Sequence, residues 1–194
     1  MKKARSIPIQ RDEKAVERFK SEYGEKYADN EVYFYDESGC QADMSPGYLW
    51  AKKGQIPQWR YQGEHIRASV MGAVNPKSGD LQALIMPCSD TESFQIFLDY
   101  FNEQINGRPV FLVLDNASWH KNGSLSWGTI MPVYLPPYSP DLNPIEELWK
   151  VMKDRFRRAF PPMEYEALCD RIQEVLRQFF SNQQEVRSIC KVHY

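Results

Sequence analysis

The sequence predicts an α/β fold, a sheet of about five strands flanked by helices, and three observations predict it. Pro109–Asp115 (PVFLVLD) is an unbroken apolar run of strand length without alternation, the pattern of a strand covered on both faces. Residues 66–74 and 81–87 are β-branched and apolar, and the NPKSGD turn chemistry at Asn75–Asp80 between them makes a hairpin. Residues 90–105, 143–160 and 163–180 instead repeat their apolar residues at helical spacing.

Taken in chain order, residues 11–29 are charge-rich with Val16, Phe19 and Tyr23 at i, i+3 and i+7, which is a short surface helix. Glu31–Asp36 (EVYFYD) crowds aromatic and β-branched residues before Glu-Ser-Gly, so a buried strand is expected to end at Asp36. Residues 40–64 interleave Trp50, Lys52, Lys53, Trp59, Arg60 and Tyr61 with Pro and Gly, as an irregular insertion or loose hairpin. After the 66–87 hairpin, Ser89-Asp90-Thr91-Glu92 is a capping-box sequence. It opens a helix whose Phe94, Phe97, Leu98, Phe101 and Ile105 share one face and which Asn106-Gly107 ends. Residues 130–135 (IMPVYL) form another strand, and Pro132, having no N–H to donate, puts it at a sheet edge. Asn143-Pro144 pairs an N-cap with a first-turn proline and opens a helix to about Phe160. Pro161-Pro162 breaks it, and a last helix carries Leu168, Ile172, Val175, Leu176 and Phe179 on its apolar face.

At 194 residues the chain is one core with appendages, given roughly 150 residues per domain. Hydrophobic residues at 42% and charged residues at 26% exclude a disordered or collagen-like chain. The net charge of −2 excludes a polycation that coats nucleic acid, so any nucleic-acid site must be a local patch. Cys40, Cys88, Cys169 and Cys190 are scattered, with neither zinc-ribbon spacing nor a disulfide framework, which suits a reducing cytoplasm. No apolar run has the length of a signal peptide or a membrane span, so a soluble protein with no membrane partner is expected.

Asp36 and Asp115, each at a strand end, and an acidic residue in the helix after Pro144 outline a metal site for Mg²⁺ or Mn²⁺, which prefer oxygen ligands. At about 100° per residue, Glu146 flanks the apolar stripe of Ile145, Leu148, Trp149, Met152 and Phe156, whereas Glu147, at about 200°, points away. Glu146 is therefore the expected third ligand. Lys150, Lys153 and Arg157 follow it at i+4, i+7 and i+11 as a basic ridge suited to a phosphodiester backbone. Each feature has a plainer alternative: strand-end Asp residues commonly make turns, basic ridges are commonly solvated, and His120 or the Trp and Tyr residues of 40–64 can serve hydrogen bonding or packing.

Three segments in order, Phe34–Gly39 (FYDESG), Leu114–His120 (LDNASWH) and Leu135–Trp149 (LPPYSPDLNPIEELW), resemble the three acidic motifs of the mariner-like insertion-sequence transposases. The resemblance implies an RNase H-like domain whose Asp36, Asp115 and Glu146 form an Asp-Asp-Glu triad holding two Mg²⁺ ions, with Mn²⁺ able to substitute. It implies cleavage at transposon ends, transfer of the freed 3′-hydroxyls into target DNA at TA, and work as a homodimer or higher assembly on DNA in a bacterial-type, nucleoid-associated cytoplasm. The residues expected to contact DNA are Lys150, Lys153, Arg157, Lys52, Lys53, Arg60 and His120. Members of this family carry two N-terminal helix-turn-helix modules, whereas residues 1–30 alone precede the first strand here. End recognition is accordingly expected from a separate DNA-binding chain or from the other part of a split or truncated reading frame. The 30 residues between Asp115 and Glu146 are somewhat fewer than in the family, and the shortening falls in the polar loop after His120. The expected organisation is a helical appendage over 1–30, the catalytic domain over 31–160 and a C-terminal helix packed on the core over 161–194. A nuclease without joining activity and a catalytically silent DNA-binding remnant are the two alternatives.

Overall fold

The computed structural model describes residues 9–27, 29–42, 52–56, 66–157 and 164–194. Strands β1 (Val32–Gln41), β2 (Arg67–Val74), β3 (Leu81–Met86), β4 (Val110–Leu114) and β5 (Ile130–Tyr134) form one sheet in the order β3-β2-β1-β4-β5. The first three strands pair antiparallel, while β4 and β5 run parallel to β1. Pro132 does lie on an edge strand, opposite Leu112.

Period-two alternation along β1 sends its residues into two separate apolar layers. Val32 and Phe34 enter the layer covered by α1 (Glu13–Glu22), α3 (Ile145–Arg157), α4 (Tyr165–Phe180) and α5 (Gln183–Ile189). Tyr33 and Tyr35 enter the layer under α2 (Thr91–Gln104), against Phe94, Phe97 and Phe101. The result is a helix–sheet–helix sandwich. On α1 the seam of Val16 and Phe19, continued by Tyr23 in the π-turn Tyr23–Tyr27, is buried in the same cluster as Phe34. Among the described residues no helix is long and apolar enough to cross a membrane.

Three expectations need correction. β1 does not stop at Asp36 but runs on to Gln41, because Glu37 to Gln41 continue to pair with Met71 to Arg67 of β2. The cap of α2 is Asp90, whose carboxylate accepts from Ser93 N at 2.8 Å, rather than Ser89, whose hydroxyl meets that of Ser69. The helix expected over 163–180 is α4, but it is not the last one, since Asn182 caps a further helix by accepting from Glu185 N at 3.1 Å. The tip of the β2–β3 hairpin docks on that helix. Gly79, at φ +78, lies so close that a Cβ would sit 2.1 Å from the Gln183 carbonyl oxygen.

Candidate active site

Asp36 faces a gap made by strand register. The parallel pairing of β1 with β4 ends at Phe34 opposite Val113, while β2 keeps pairing alongside, so the β4 side of β1 opens at Asp36. Asp115 follows directly on β4, at the carboxyl ends of parallel strands where α/β sheets place their ligands. Its Oδ1 accepts from Ala117 N at 3.0 Å, which turns the chain sharply off the strand.

Glu146 is brought to the same place by Asn143. Asn143 is buried, and its Nδ2 donates to the carbonyl of Tyr35, the residue before Asp36, at 2.8 Å. Its Oδ1 accepts from Ile145 N at 3.4 Å and its carbonyl accepts from Glu146 N at 3.2 Å. One side chain thus caps α3 and staples its first turn to the backbone beside Asp36. A second device sets how closely α3 lies on the sheet. Gly72 is the cross-strand partner of Asp36, and a Cβ there would be 2.7 Å from Cη2 of Trp149. The indole fills the space a side chain would take, and Trp149 lies one turn beyond Glu146 on the same helix.

Asp36, Asp115, Asn116, Asn143 and Glu146 line one cleft of about 450 Å³ whose remaining wall is the proline-rich 135–140 loop. Burial pushes the Asp36 carboxyl well above the ordinary carboxylate range, and the negative charges of Glu146 and Glu37 push it further. Burial also raises Glu146, against the pull of Lys150 and Lys153. Asp115 is held low by His120 beside it, against the opposing effect of burial. His120 Nδ1 lies 2.8 Å from Asp115 Oδ1 but off the line of an aligned hydrogen bond, so charge rather than hydrogen bonding joins the pair.

Glu37, next to Asp36, turns to the other face of the sheet. It accepts from Tyr35 Oη at 2.9 Å and Trp119 Nε1 at 3.2 Å, and its Oε1 lies 2.9 Å from His120 Nε2. His120 is 1% exposed, with its ring 4.5 Å from that of Phe94 and 5.4 Å from that of Tyr35. Burial disfavours its charge, but the carboxylates of Asp115 and Glu37 outweigh burial and raise its pKa to about 9. This corrects the expectation that His120 touches DNA, because the ring is buried, its nitrogens face the Asp115 and Glu37 carboxylates and no ring edge reaches solvent. It holds Asp115 in place instead.

The basic residues divide. Lys150 is exposed and its ammonium pairs with the exposed Glu147 at 2.5 Å, so Glu147 does point away from the sheet as its helical phase predicts. Lys153 is half-buried, and Arg157 ends α3. Lys52 and Lys53 are exposed and line neither this cleft nor the one beside it. Arg60, Trp50, Trp59 and Tyr61 lie outside the described residues. Sequence reasoning took Asn143 as a cap alone and passed over Gly72 and Glu37. Their roles depend on partners 108, 77 and 83 residues away, and the sole local hint is the acid pair Asp36-Glu37 in a strand.

The donor set suits a hard divalent cation, being three carboxylates, two of them with no ion-pair partner among the described residues. The three line an open cleft without meeting at one point: among the described residues no three His, Cys, Asp or Glu side chains lie close enough together, as placed, to hold a metal ion.

Residues 31–169 match the family model described as DDE superfamily endonuclease. The chain belongs to the DDE superfamily endonucleases. Within that superfamily it is similar to y4pE/y4sA, an uncharacterised protein of Sinorhizobium fredii, at 37% identity over 91 residues, 46% of this chain and 67% of that one. It is also similar to the uncharacterised 39 kDa protein of insertion element IS630 from Shigella sonnei, at 24% identity over 140 residues, 68% of this chain and 40% of that one. In fold it resembles Mos1 transposase, with a TM-score of 0.67 and 18% identity to the strand transfer complex, covering 98% of this chain and 63% of that one. Against the Mos1 mariner paired end complex with Mn the TM-score is 0.66 at 15% identity, covering 98% of this chain and 64% of that one. The five-stranded DDE domain therefore has the RNase H-like fold, and the chain spans under two thirds of the insertion-element protein and of the Mos1 chains.

Proposed function

We propose that this DDE domain cuts DNA at the ends of a mobile element and joins the freed 3′-hydroxyls to target DNA, using Asp36, Asp115 and Glu146. One observation carries the reading: carboxylates from β1, from the end of β4 and from the first turn of α3 line a single cleft. These three residues are the ones that would hold two Mg²⁺ ions, or Mn²⁺ in their place. When bound, such ions supply activation of the attacking oxygen and stabilisation of the leaving oxygen in an in-line displacement. The protein's own part is to present charge at fixed positions. Asn143 holds the Glu146 turn against β1, and the His120–Glu37 pair holds Asp115. Lys150 and Lys153, whose charge already reaches Glu146, are placed to meet phosphate oxygens, with Arg157 further along the same helix.

The likeness to Mos1 in a strand transfer complex and in a paired end complex with Mn supports joining, divalent metal and assembly of more than one copy on DNA for this chain. Insertion at TA and end recognition by a separate chain belong to the same proposal. Purified protein incubated with Mg²⁺ or Mn²⁺ and duplexes carrying its element's ends, with cleaved and joined products both scored, tests it. Cleavage and joining support the full reading, cleavage alone supports the nuclease alternative, and neither product with either metal overturns it.

A further inference from the structure

Beside the catalytic cleft lies a second, larger one of about 530 Å³, and the two share Tyr138, Pro140, Asn143 and Glu146. They adjoin at these residues. Residues 191–194 line the second cleft and, with Cys190, make a strap of alternating burial outside any helix or strand. Cys190 is buried and Val192 and Tyr194 pack on the main core, whereas Lys191 and His193 are exposed and line the cleft.

The strap is built in rather than loosely laid. Tyr194 Oη donates to the carbonyl of Leu142 at 2.6 Å, one residue before the Asn143 staple. Its ring packs edge-on against Tyr23 at 5.3 Å and Phe19 at 6.0 Å. Of the other cations of this cleft, Arg11 pairs with Asp141 and Glu13, and Lys150, already assigned to phosphate, shares its charge with the exposed Glu147. Lys191 and His193 have no hydrogen-bond or ion-pair partner among the described residues.

We propose that the 190–194 strap is a DNA-backbone subsite, in which Lys191 and His193 bind phosphates of the strand that enters the Asp36–Asp115–Glu146 cleft. This rests on the proposed function and adds a residue-level track for the substrate. Two uncommitted, exposed donors lining a cleft that adjoins the catalytic one suit a passing phosphodiester chain rather than a small anion held in a closed cradle. Asp141, Glu146 and Glu147 on the same cleft keep it from being a strongly cationic surface, so the strap sets where the strand lies more than how tightly the whole duplex binds.

The test is binding of a fluorescein-labelled random-sequence duplex across a salt series, with no metal and no cleavage required. Lys191→Ala with His193→Ala should weaken binding by about threefold to tenfold and lower the log–log salt slope by roughly 0.9 or more, the contribution of one phosphate on duplex DNA. Lys191→Arg should keep the wild-type slope, and Lys77→Ala, an equal charge change at an exposed residue that lines neither cleft, should leave it unchanged. Both side chains are exposed, so unfolding is not at issue, and an unaltered melting temperature verifies this. A double variant with the slope of Lys77→Ala overturns the proposal, as does a Lys191→Arg protein whose slope falls with that of the double variant. Failure of the proposed function is read separately, in a Glu146→Gln protein that still cleaves, a result that leaves the salt slopes interpretable.

Discussion

Gly72→Ala should disable the site through a residue that carries no charge and meets no substrate. The backbone at Gly72 is ordinary strand, so alanine imposes no dihedral strain there. The added Cβ stands 2.7 Å from Trp149 Cη2 and 3.0 Å from Cζ2. Carbon atoms in contact rest at about 3.5–4.0 Å, so the indole must withdraw by about 1 Å. Trp149 is 2% exposed and walled in, which leaves α3 as the part that yields. Overpacking of this kind costs about 1–3 kcal/mol, or a fall in Tm of roughly 2–12 °C for a domain of this size. The larger effect is on chemistry. Glu146 lies on the same helix, and displacement of a reacting group by 1 Å costs on the order of 10²-fold in rate. Thermal denaturation and metal-dependent cleavage, measured side by side, check both effects. Gly72→Ala/Trp149→Phe, with a smaller ring, should recover much of the lost rate. A lowered Tm with wild-type cleavage would refute the link between α3 spacing and Glu146, and an unchanged Tm would refute the clash itself.

Asp36→Asn, Asp115→Asn and Glu146→Gln should each abolish cleavage on a gel while Glu147→Gln is far milder, since Glu147 is exposed and paired with Lys150. Reversal of the two glutamate results would place the third ligand wrongly. Asn143→Ala removes a cap and a buried hydrogen bond at once, leaving the Tyr35 carbonyl unpaired, and should lower stability by about 2–3 kcal/mol in urea denaturation. Tyr194→Phe, which keeps the ring and loses the bond to Leu142, should cost about 1 kcal/mol by the same measurement. Burial raises the thiol of Cys190 to about 12, and burial also raises that of Cys40 to about 11 despite the nearby Lys153. Raised pKa values keep both thiols neutral and unreactive at pH 8, so maleimide labelling read by mass spectrometry should find exposed Cys88 modified first and Cys40 and Cys190 only after denaturation.

What the sequence makes legible here is whatever repeats locally. The apolar run before Asp115, the turn chemistry of Asn75 to Asp80 and the stripe on α3 each carry their own period, and the phase of that stripe separates Glu146 from Glu147. The extension of β1 beyond Asp36 was hidden because Glu-Ser-Gly reads as a turn when alone, whereas pairing with β2 supplies its backbone partners. The helix after Ser181 was hidden because its seven mostly polar residues carry too short an apolar pattern to show a helical period. Contacts such as Gly72 with Trp149 leave no local period at all. A glycine in a strand marks close approach to something, and only the fold says to what.

The division of labour between Asp36 and Glu37 has a consequence for how this chain can change in length. Neighbouring carboxylates on β1 serve opposite faces, one toward Glu146 and the cleft, the other toward Tyr35, Trp119 and His120. Inserting one residue between Phe34 and Asp36 would carry Asp36, too short to reach, to the site beneath the buried imidazole, move Glu37 one place beyond it, and leave the cleft position without an acid. Deletions there are equally disruptive. By contrast, residues 121–129 between the His120 turn and β5 are largely exposed and hold neither the strand register nor the α3 staple. Lineages of this domain should therefore gain and lose residues more readily in that loop, while β1 keeps its length.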